Sequence, residues 1–188
     1  MKKSIRVFFI LALSISFVSC KTANQHRAYY NAGLMYAMIY DHDNNPVNSV
    51  TIYVDNKKYV EADIQGRFIL DLKKNGEYLI KLTKKGFEDI DQTFQFDPMN
   101  VLYFKMINTS QLLQLAEDAM DKYHYNEAET FLKRALIIEQ SRPDVLYLLT
   151  IALHLQSKTN EAKEVLETLI DLGFTDTYVI ELLKKISE

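Results

Sequence analysis

The sequence predicts a multidomain chain of the β + α class, in which a seven-stranded antiparallel β-sandwich is followed by an all-α region of helical repeats. Two observations predict this arrangement. Between residues 34 and 106 the apolar residues alternate or form short runs, and turn residues interrupt them at regular intervals. From Thr109 onward the apolar residues follow the helical period, and the triplet Asn-Glu-Ala that begins at Asn126 returns at Asn160 with the same apolar spacing behind it.

The first nineteen residues have the layout of a secretory signal peptide. Three positive charges are followed by an apolar run over residues 7–17, which is too short to span a bilayer comfortably. The end of the run, Phe17-Val18-Ser19-Cys20, resembles the lipoprotein box of bacteria. The resemblance implies cleavage after residue 19, lipidation of Cys20 and anchoring at a membrane. Ordinary cleavage that leaves a free thiol, and an anchor that is not cleaved, are the alternatives.

Residues 20–32 are polar and lack periodicity, which predicts a tether between the anchor and the folded part. The segment from residue 21 to residue 32 reaches roughly 40 Å when fully extended. Without Lys2, Lys3 and Arg6 the chain has 19 basic and 25 acidic side chains, a net charge of −6. This charge argues against nucleic acid as a partner, because phosphate binding needs clustered Lys and Arg.

Seven strands are predicted between residues 33 and 107. The predicted segments are 35–40, 49–54, 58–62, 67–72, 78–83, 92–96 and 101–105. Turn residues separate these segments, among them Asn45-Pro46 and Gln65-Gly66, which supply the backbone angles that a chain reversal needs. We expect one side of the strands to form the core, through Phe68, Leu70, Tyr78, Ile80 and Leu82, with Phe87 closing one end.

The same residues resemble a known family, the carboxypeptidase regulatory-like or prealbumin-like domain. The resemblance is carried by Ile39-Tyr40-Asp41, Asn45-Pro46-Val47, Ile52-Tyr53-Val54, Asp63 with Gly66-Arg67-Phe68, Gly76-Glu77-Tyr78 and Lys85-Gly86-Phe87. It implies a non-catalytic accessory or stalk module of the kind often attached to bacterial surface proteins. It implies no active site.

Two helical hairpins and a capping helix are predicted over residues 108–188. The apolar stripes of the helices are Leu112, Leu115, Ala116 and Ala119; Ala128, Phe131, Leu132, Ala135 and Leu136; Leu146, Leu149, Thr150 and Leu153; Ala162, Val165, Leu166, Leu169 and Ile170; and Ile180 and Leu183. A helix-turn-helix unit that recurs with the spacing from Asn126 to Asn160 resembles the tetratricopeptide repeat. The glycine of that family at the turn between helices is replaced here by Tyr123 and Ser157.

Stacked helical hairpins leave one side of each first helix on a concave surface, which predicts a site for a protein partner. The residues on that side are Ser110, Leu113, Glu117 and Met120, then Asp144, Tyr147, Ile151 and His154, then Tyr178 and Glu181. Several are apolar at positions that an isolated monomer keeps polar. The alternative is that these side chains pack against the sandwich.

No catalytic residue, metal site or cofactor is predicted, and we expect no enzymatic activity. The four histidines, His26, His42, His124 and His154, lie in register with no other His or Cys. The segment beginning at Asp41 resembles the start of a calcium loop, but Pro46 stands where that loop needs glycine.

The predicted function is a non-catalytic, lipid-anchored adaptor of the bacterial cell envelope, at the outer membrane and facing the periplasm or the surface. Its partners are the membrane, through Cys20, and a protein of unknown identity. The alternative is a structural stalk or assembly protein in which the sandwich is the working module and the helices brace it. A third hypothesis, carbohydrate binding by the sandwich, depends on Tyr53 and Tyr59.

Overall fold

A computed structural model describes residues 33–187 of the chain, so the predicted signal peptide, Cys20 and the tether lie outside the described residues. The strands are β1 Gly33–Tyr40, β2 Thr51–Val54, β3 Lys57–Glu61, β4 Arg67–Leu72, β5 Glu77–Thr83, β6 Ile90–Gln95 and β7 Val101–Lys105. The helices are α1 Thr109–Asp121, α2 Tyr125–Ile138, α3 Pro143–Leu155, α4 Thr159–Asp171 and α5 Thr177–Ser187. The predicted order, a β region followed by an α region, is confirmed.

The strands form two sheets, one of three strands in the order β4-β1-β7 and one of four in the order β3-β2-β5-β6. The prediction of a purely antiparallel sandwich is wrong, because β1 and β7 are parallel, with Tyr36 opposite Val101 and Tyr40 opposite Lys105. An alternating sequence identifies a strand but does not give the direction of its neighbour. Parallel neighbours need a long connection, and here the other five strands provide it.

The core of the sandwich lies between the two sheets and contains the predicted residues. Phe68, Leu70, Ile80 and Leu82 are buried there, while Tyr78 and Phe87 are half-buried against it. Gly66 has a φ of +70°, and a Cβ atom at this position would lie 2.4 Å from the carbonyl oxygen of Ile39. The close contact between these two backbones therefore requires glycine.

The outer edge of β4 is occupied by side chains from the preceding turn and from β3. The Asp63 carboxylate accepts a hydrogen bond from Arg67 N–H at 2.8 Å, and Asp63 N–H donates to the Arg67 carbonyl at 2.9 Å. Further along, the Tyr59 hydroxyl bonds to both backbone groups of Asp71, at 2.6 and 3.0 Å. Side-chain and turn groups therefore satisfy backbone groups that an added strand would otherwise bind.

The helices begin at regular intervals. The first helices α1, α3 and α5 begin at Thr109, Pro143 and Thr177, and the second helices α2 and α4 begin at Tyr125 and Thr159, so that corresponding starts recur at one constant interval. Each helix packs mainly against the next one along the chain. Asn108 caps α1, because its side chain accepts a hydrogen bond from Gln111 N–H while the Gln111 side chain bonds back to Asn108 N–H.

The apolar stripe predicted for the last helix is wrong by one position. The structure buries Val179, Leu182 and Ile186, whereas Ile180 is exposed and Leu183 is half-buried. The difference arises because α3 lies between α2 and α4 and is buried on two sides, whereas α5 packs mainly against α4. The side of α5 that corresponds to Leu146 in α3 therefore has no helix against it within residues 33–187.

The two inter-helix turns have the same backbone conformation. Tyr123 and Ser157, which occupy equivalent positions in the two hairpins, have φ values of +62° and +61°. This left-handed conformation is the one that glycine adopts without strain and that a residue with a Cβ atom adopts at a cost of about 1–2 kcal/mol. Residues with a Cβ atom at these two positions therefore keep the turn at a cost in stability.

The sandwich and the helices have separate hydrophobic cores, and polar groups connect them. Glu88 N–H donates to the Ile107 carbonyl at 2.9 Å, and Gln111 Nε2 donates to Asp43 Oδ2 at 2.6 Å. The Arg134 guanidinium binds both carboxylate oxygens of Glu88, at 3.0 and 2.7 Å. A bidentate ion pair of this kind fixes the relative orientation of the two side chains as well as their distance.

Replacing Ser157 with glycine is expected to stabilise the helical region, because the left-handed turn then carries no Cβ strain. We expect the free energy of unfolding to rise by about 1 kcal/mol, measured by urea denaturation followed through helical circular dichroism. Ser157→Ala is the matched control, because it removes the hydroxyl but keeps the Cβ atom. An equal gain in both variants would contradict strain as the cause.

Candidate functional site

The predicted contact residues of the helical region are partly exposed and lie over the helical core. We call the set Leu113, Glu117, Met120, Tyr147, Ile151, His154, Tyr178 and Glu181 the helical surface. Its apolar members Leu113, Met120, Tyr147 and Ile151 are half-buried and pack against the core of the helices. They are not among the residues that pack against the core of the sandwich.

The exposed members of the helical surface are two acids and one aromatic residue. Glu117 and Glu181 are exposed, and Tyr178 has 71% of its surface accessible. Since Leu113 and Tyr147 occupy equivalent positions on α1 and α3, the half-buried side chains run from one first helix to the next. The surface therefore combines apolar side chains anchored in the core with acidic side chains that are free to contact a partner.

The start of this surface is fixed by Arg142. Its Nη2 atom donates to the Ser110 hydroxyl at 3.3 Å, and its Nε atom donates to Asp144 Oδ1 at 3.0 Å. The hydrogen bond to Asp144 outweighs burial and raises the pKa of Arg142 above its ordinary value. Arg142 thus connects the first turns of α1 and α3, and it engages the two polar residues predicted at this end.

His154, at the other end of α3, is half-buried. Its Nδ1 atom is buried and has no hydrogen-bond partner within residues 33–187. A buried polar atom without a partner costs free energy. Because this nitrogen is closed to solvent, His154 offers a partner only the half-exposed remainder of its ring.

A buried carboxylate joins the two hairpins beneath the surface. Glu129 of α2 is 7% exposed, and its oxygens accept hydrogen bonds from Lys133 Nζ at 2.6 Å, Lys158 Nζ at 2.7 Å and Gln156 Nε2 at 2.9 Å. Burial alone would raise the pKa of Glu129, but these hydrogen bonds outweigh it and lower the pKa to about 2. Glu129 is therefore charged at neutral pH and links α2 to the segment between α3 and α4.

A polar cleft of about 480 Å³ lies between the sandwich and α1. Asp41, His42 and Asp43 form one wall, while Gln114 and Asp118 are on the other. Two backbone N–H groups, those of Asp43 and Asn45, donate to the Asp41 carboxylate at 2.9 and 2.8 Å. Asp41 therefore stabilises its own turn, as Asp63 does in the turn before β4.

Within residues 33–187 no group of three or more His, Cys, Asp or Glu side chains is arranged to hold a metal ion. None of the helices described there is both long enough and apolar enough to cross a bilayer.

A second surface, which the sequence analysis missed, is the outer face of the three-stranded sheet. We call it the apolar sheet face and define it by Leu34, Tyr36, Met38, Ile69, Val101 and Tyr103. Tyr36 is at its centre, directly opposite Ile69 on β4 and Val101 on β7. Met38 lies two residues further along β1, opposite Tyr103. Tyr36 is 53% exposed and Tyr103 is 67% exposed, so these rows of apolar side chains are open to solvent.

The outer face of the four-stranded sheet is much more polar. Its exposed positions on β6 are Asp91, Thr93 and Gln95, and Lys81 of β5 pairs with Asp89 at 3.2 Å. Antiparallel sheets commonly have one apolar and one polar face, and the four-stranded sheet follows that pattern. In the three-stranded sheet β1 is apolar on both sides, whereas the outward positions of β4 are Arg67, Ile69 and Asp71. The signal in the sequence was GLMYAMIY in β1, which contains no charged residue at any outward position.

The comparisons with known proteins give only a partial likeness in fold. No protein family and no curated protein matches the sequence. BcpA, the major pilin subunit of Bacillus cereus, is similar over 41% of this chain and 28% of its own, with 15% identity and a TM-score of 0.33. A 3-chlorocatechol 1,2-dioxygenase from Rhodococcus opacus is similar over 41% of this chain and 59% of its own, with 9% identity and a TM-score of 0.30. This chain spans less than two thirds of either protein.

Replacing Glu129 with glutamine is expected to lower the free energy of unfolding by about 1–3 kcal/mol at pH 7, because Lys133 and Lys158 lose their shared carboxylate. The folded-state pKa of about 2 lies below the ordinary value of 4.5, so this stabilisation is complete above pH 4.5 and is lost as the pH falls toward 2. Urea denaturation should show a smaller difference in the free energy of unfolding between Glu129→Gln and the parent protein at pH 3 than at pH 7. Glu164→Gln, at an exposed position of α4, is the control. An equal loss of unfolding free energy in that variant would contradict a special role for Glu129.

Proposed function

We propose that this protein is a non-catalytic, lipid-anchored adaptor of the bacterial cell envelope that binds a protein partner through the helical surface. The observation that carries the proposal is the combination of core-anchored apolar side chains with exposed acids and an exposed tyrosine on successive first helices. The lipid anchor and the location at the outer membrane are both inferred from the sequence around Cys20.

The proposal treats the helical region as tetratricopeptide-like. Corresponding helices begin at a constant interval, and Tyr123 and Ser157 keep a left-handed turn at the place where that family has glycine. Ala128 and Ala162 are fully buried at equivalent positions in the second helices, where small residues allow close approach. In such repeats the first helices line the inner surface, which supports a partner bound along α1, α3 and α5.

The proposal treats the sandwich as a prealbumin-like spacer. Because β1 and β7 are parallel, the chain enters the sandwich at the start of β1 and leaves it for α1 at the opposite end. The eight residues of β1 span roughly 26 Å. This distance separates the helical surface from the point where the tether joins the sandwich.

The charge of the helical region indicates which partner fits. Residues 109–188 carry 14 acidic and 8 basic side chains, and Glu117 and Glu181 are exposed on the helical surface itself. Opposite charges guide association, and apolar side chains such as those of Tyr147 and Ile151 provide affinity. The partner is therefore a basic amphipathic segment, bound as an extended peptide or a helix.

The exposed members of the surface provide the test, because changing the half-buried members would also disturb the core. Glu117→Lys and Glu181→Lys combined with Tyr178→Ala are expected to reduce recovery of a defined partner at least tenfold. Recovery is measured by affinity purification from a detergent extract of the native cells, followed by mass spectrometry. The unfolding midpoint should remain unchanged.

The matched control places the same changes on the second helices. Glu164→Lys and Glu167→Lys on α4, combined with Ile137→Ala on α2, alter the same charge and remove one exposed apolar side chain, because Ile137 is 76% exposed. Recovery of the partner should be retained in this variant. If both variants lose the partner equally, charge alone explains binding and the helical surface is not the site.

The alternative function, a stalk or assembly protein whose working module is the sandwich, is favoured by one observation. The apolar sheet face is more exposed than the apolar part of the helical surface. In this alternative the helices serve only to brace the sandwich.

Deletion of residues 109–188 distinguishes the two functions. The sandwich has its own core, and the polar contacts that the deletion removes, such as those of Arg134 and Gln111, are each worth about 1 kcal/mol or less. We therefore expect the truncated protein to remain monomeric and to unfold cooperatively, as measured by gel filtration and circular dichroism. An unfolded or aggregated product would support the bracing role.

A further inference from the structure

The apolar sheet face requires a molecule to cover it. Its members Tyr36, Ile69 and Val101 form an uninterrupted row across three strands. Met38 and Tyr103 extend it on the next row, which Arg67 of β4 ends, and Asp71 of β4 lies opposite Leu34 on the other side. A contiguous apolar area of this kind is rare on the free surface of a soluble monomer. Within residues 33–187 the helices pack against one another and hardly contact the strands, so the described part of the chain provides no cover.

The position of this face relative to the tether identifies its occupant. Leu34 and Val101 lie at the end of the sheet where β1 begins. A Cβ atom on Gly33 would lie 2.9 Å from the Cβ of Pro98, so the entry of the chain packs directly against the loop between β6 and β7. The next residue of that loop, Met99, is 77% exposed. The exposed apolar residues therefore surround the point where the tether joins the sandwich.

The loop that carries Met99 is held in a defined turn. The Asp97 carboxylate accepts hydrogen bonds from Met99 N–H at 3.0 Å and from Asn100 Nδ2 at 2.7 Å. This turn keeps an unbranched apolar side chain in the loop that packs against Gly33, where β1 begins. An exposed methionine in a fixed turn suits insertion between lipid headgroups, where a soft apolar surface accepts irregular shapes.

We propose that the apolar sheet face, together with Met99, rests on the lipid surface to which the protein is anchored. The inference relies on the anchoring at Cys20 proposed above. A tether with a reach of roughly 40 Å keeps the entry end of the sandwich close to the bilayer at all times. The anchor holds the sandwich at a high effective concentration near the lipid. An apolar patch that is too small to bind a membrane by itself can therefore stay in contact with it.

The composition of the face fits lipid better than a second copy of the chain. Tyr36 and Tyr103 have an apolar ring and a polar hydroxyl, the combination that is enriched where membrane meets water. The contact also sets orientation. With the outer face of the sheet on the bilayer, β1 and β7 run along the lipid surface, and the helices continue from the far end of these two strands.

The test uses the chain from Cys20 to Glu188, which includes every described residue. Cys20 is the only cysteine, so its thiol can be coupled specifically to a maleimide lipid in phosphatidylcholine vesicles. The chain has no tryptophan, so Tyr36→Trp places a single fluorescent reporter on the apolar sheet face. Thr93→Trp, exposed on the outer face of the four-stranded sheet, is the matched control.

We expect lipids brominated on their acyl chains to quench Tyr36→Trp several-fold more strongly than Thr93→Trp. The emission of Tyr36→Trp should also shift to shorter wavelength when vesicles are attached. Both effects should persist in about 1 M salt, where charge interactions extend only about 3 Å, because the contact is apolar. Adding Leu34→Thr and Val101→Thr to Tyr36→Trp should reduce the quenching, since threonine keeps the strand but adds hydroxyls.

Three outcomes would overturn the inference. Equal quenching of the two reporters, or quenching unchanged by Leu34→Thr and Val101→Thr, would show that the tether alone brings the protein near lipid. A shorter-wavelength emission without vesicles and a doubled mass in solution would assign the face to a second copy of the chain. The same short-wavelength emission from a monomer without vesicles would indicate that residues 20–32 cover the face. Because Cys20 is coupled to lipid chemically in this test, the result does not depend on whether the native protein is lipidated. Lipidation itself is examined by mass spectrometry of Cys20 in the native protein.

Discussion

The parallel pairing of β1 with β7 is the constraint on which the arrangement of this protein depends. The first and last strands of the sandwich are neighbours that run in the same direction, so the two connections of the sandwich leave from opposite ends. With an antiparallel pair, the start of β1 and the start of the helices would have met at one end. Because polar contacts such as Glu88–Arg134 then fix the helices at the far end, the direction of one strand pair sets the geometry of the whole chain.

The sequence predicted the elements better than their arrangement. Strand positions follow from local alternation and helix starts from the repeat spacing, and both are close to the structure. The direction of β7 relative to β1 depends on a contact between residues far apart in the chain, such as Tyr36 and Val101, which no local pattern encodes. The face of α5 was misassigned for a related reason. Repetition predicted burial of Ile180, but burial also requires a neighbouring helix, and the main one is α4.

The candidate surfaces were predictable to different degrees. The repeat spacing assigned Leu113 and Tyr147 to equivalent positions on α1 and α3, and the structure leaves both half-buried. That depth could not be derived from spacing, since it depends on how closely the helices approach. Glu129 was missed because a charged residue on an apolar stripe is recognised only when Lys133 and Lys158 are seen beside it. The apolar sheet face was accessible from the sequence, because a strand that is apolar on both sides needs cover on both sides.

The groups along the outer edge of β4 limit how the protein can assemble. Asp63 and the Tyr59 hydroxyl satisfy the backbone at Arg67 and Asp71, which are two of the positions that an incoming strand would use. Within the described residues, the three-stranded sheet has β7 as its other edge. A sheet that can be extended on one side only can join one further sheet and then stops. Growth into a continuous fibre through this edge of the sheet is therefore disfavoured.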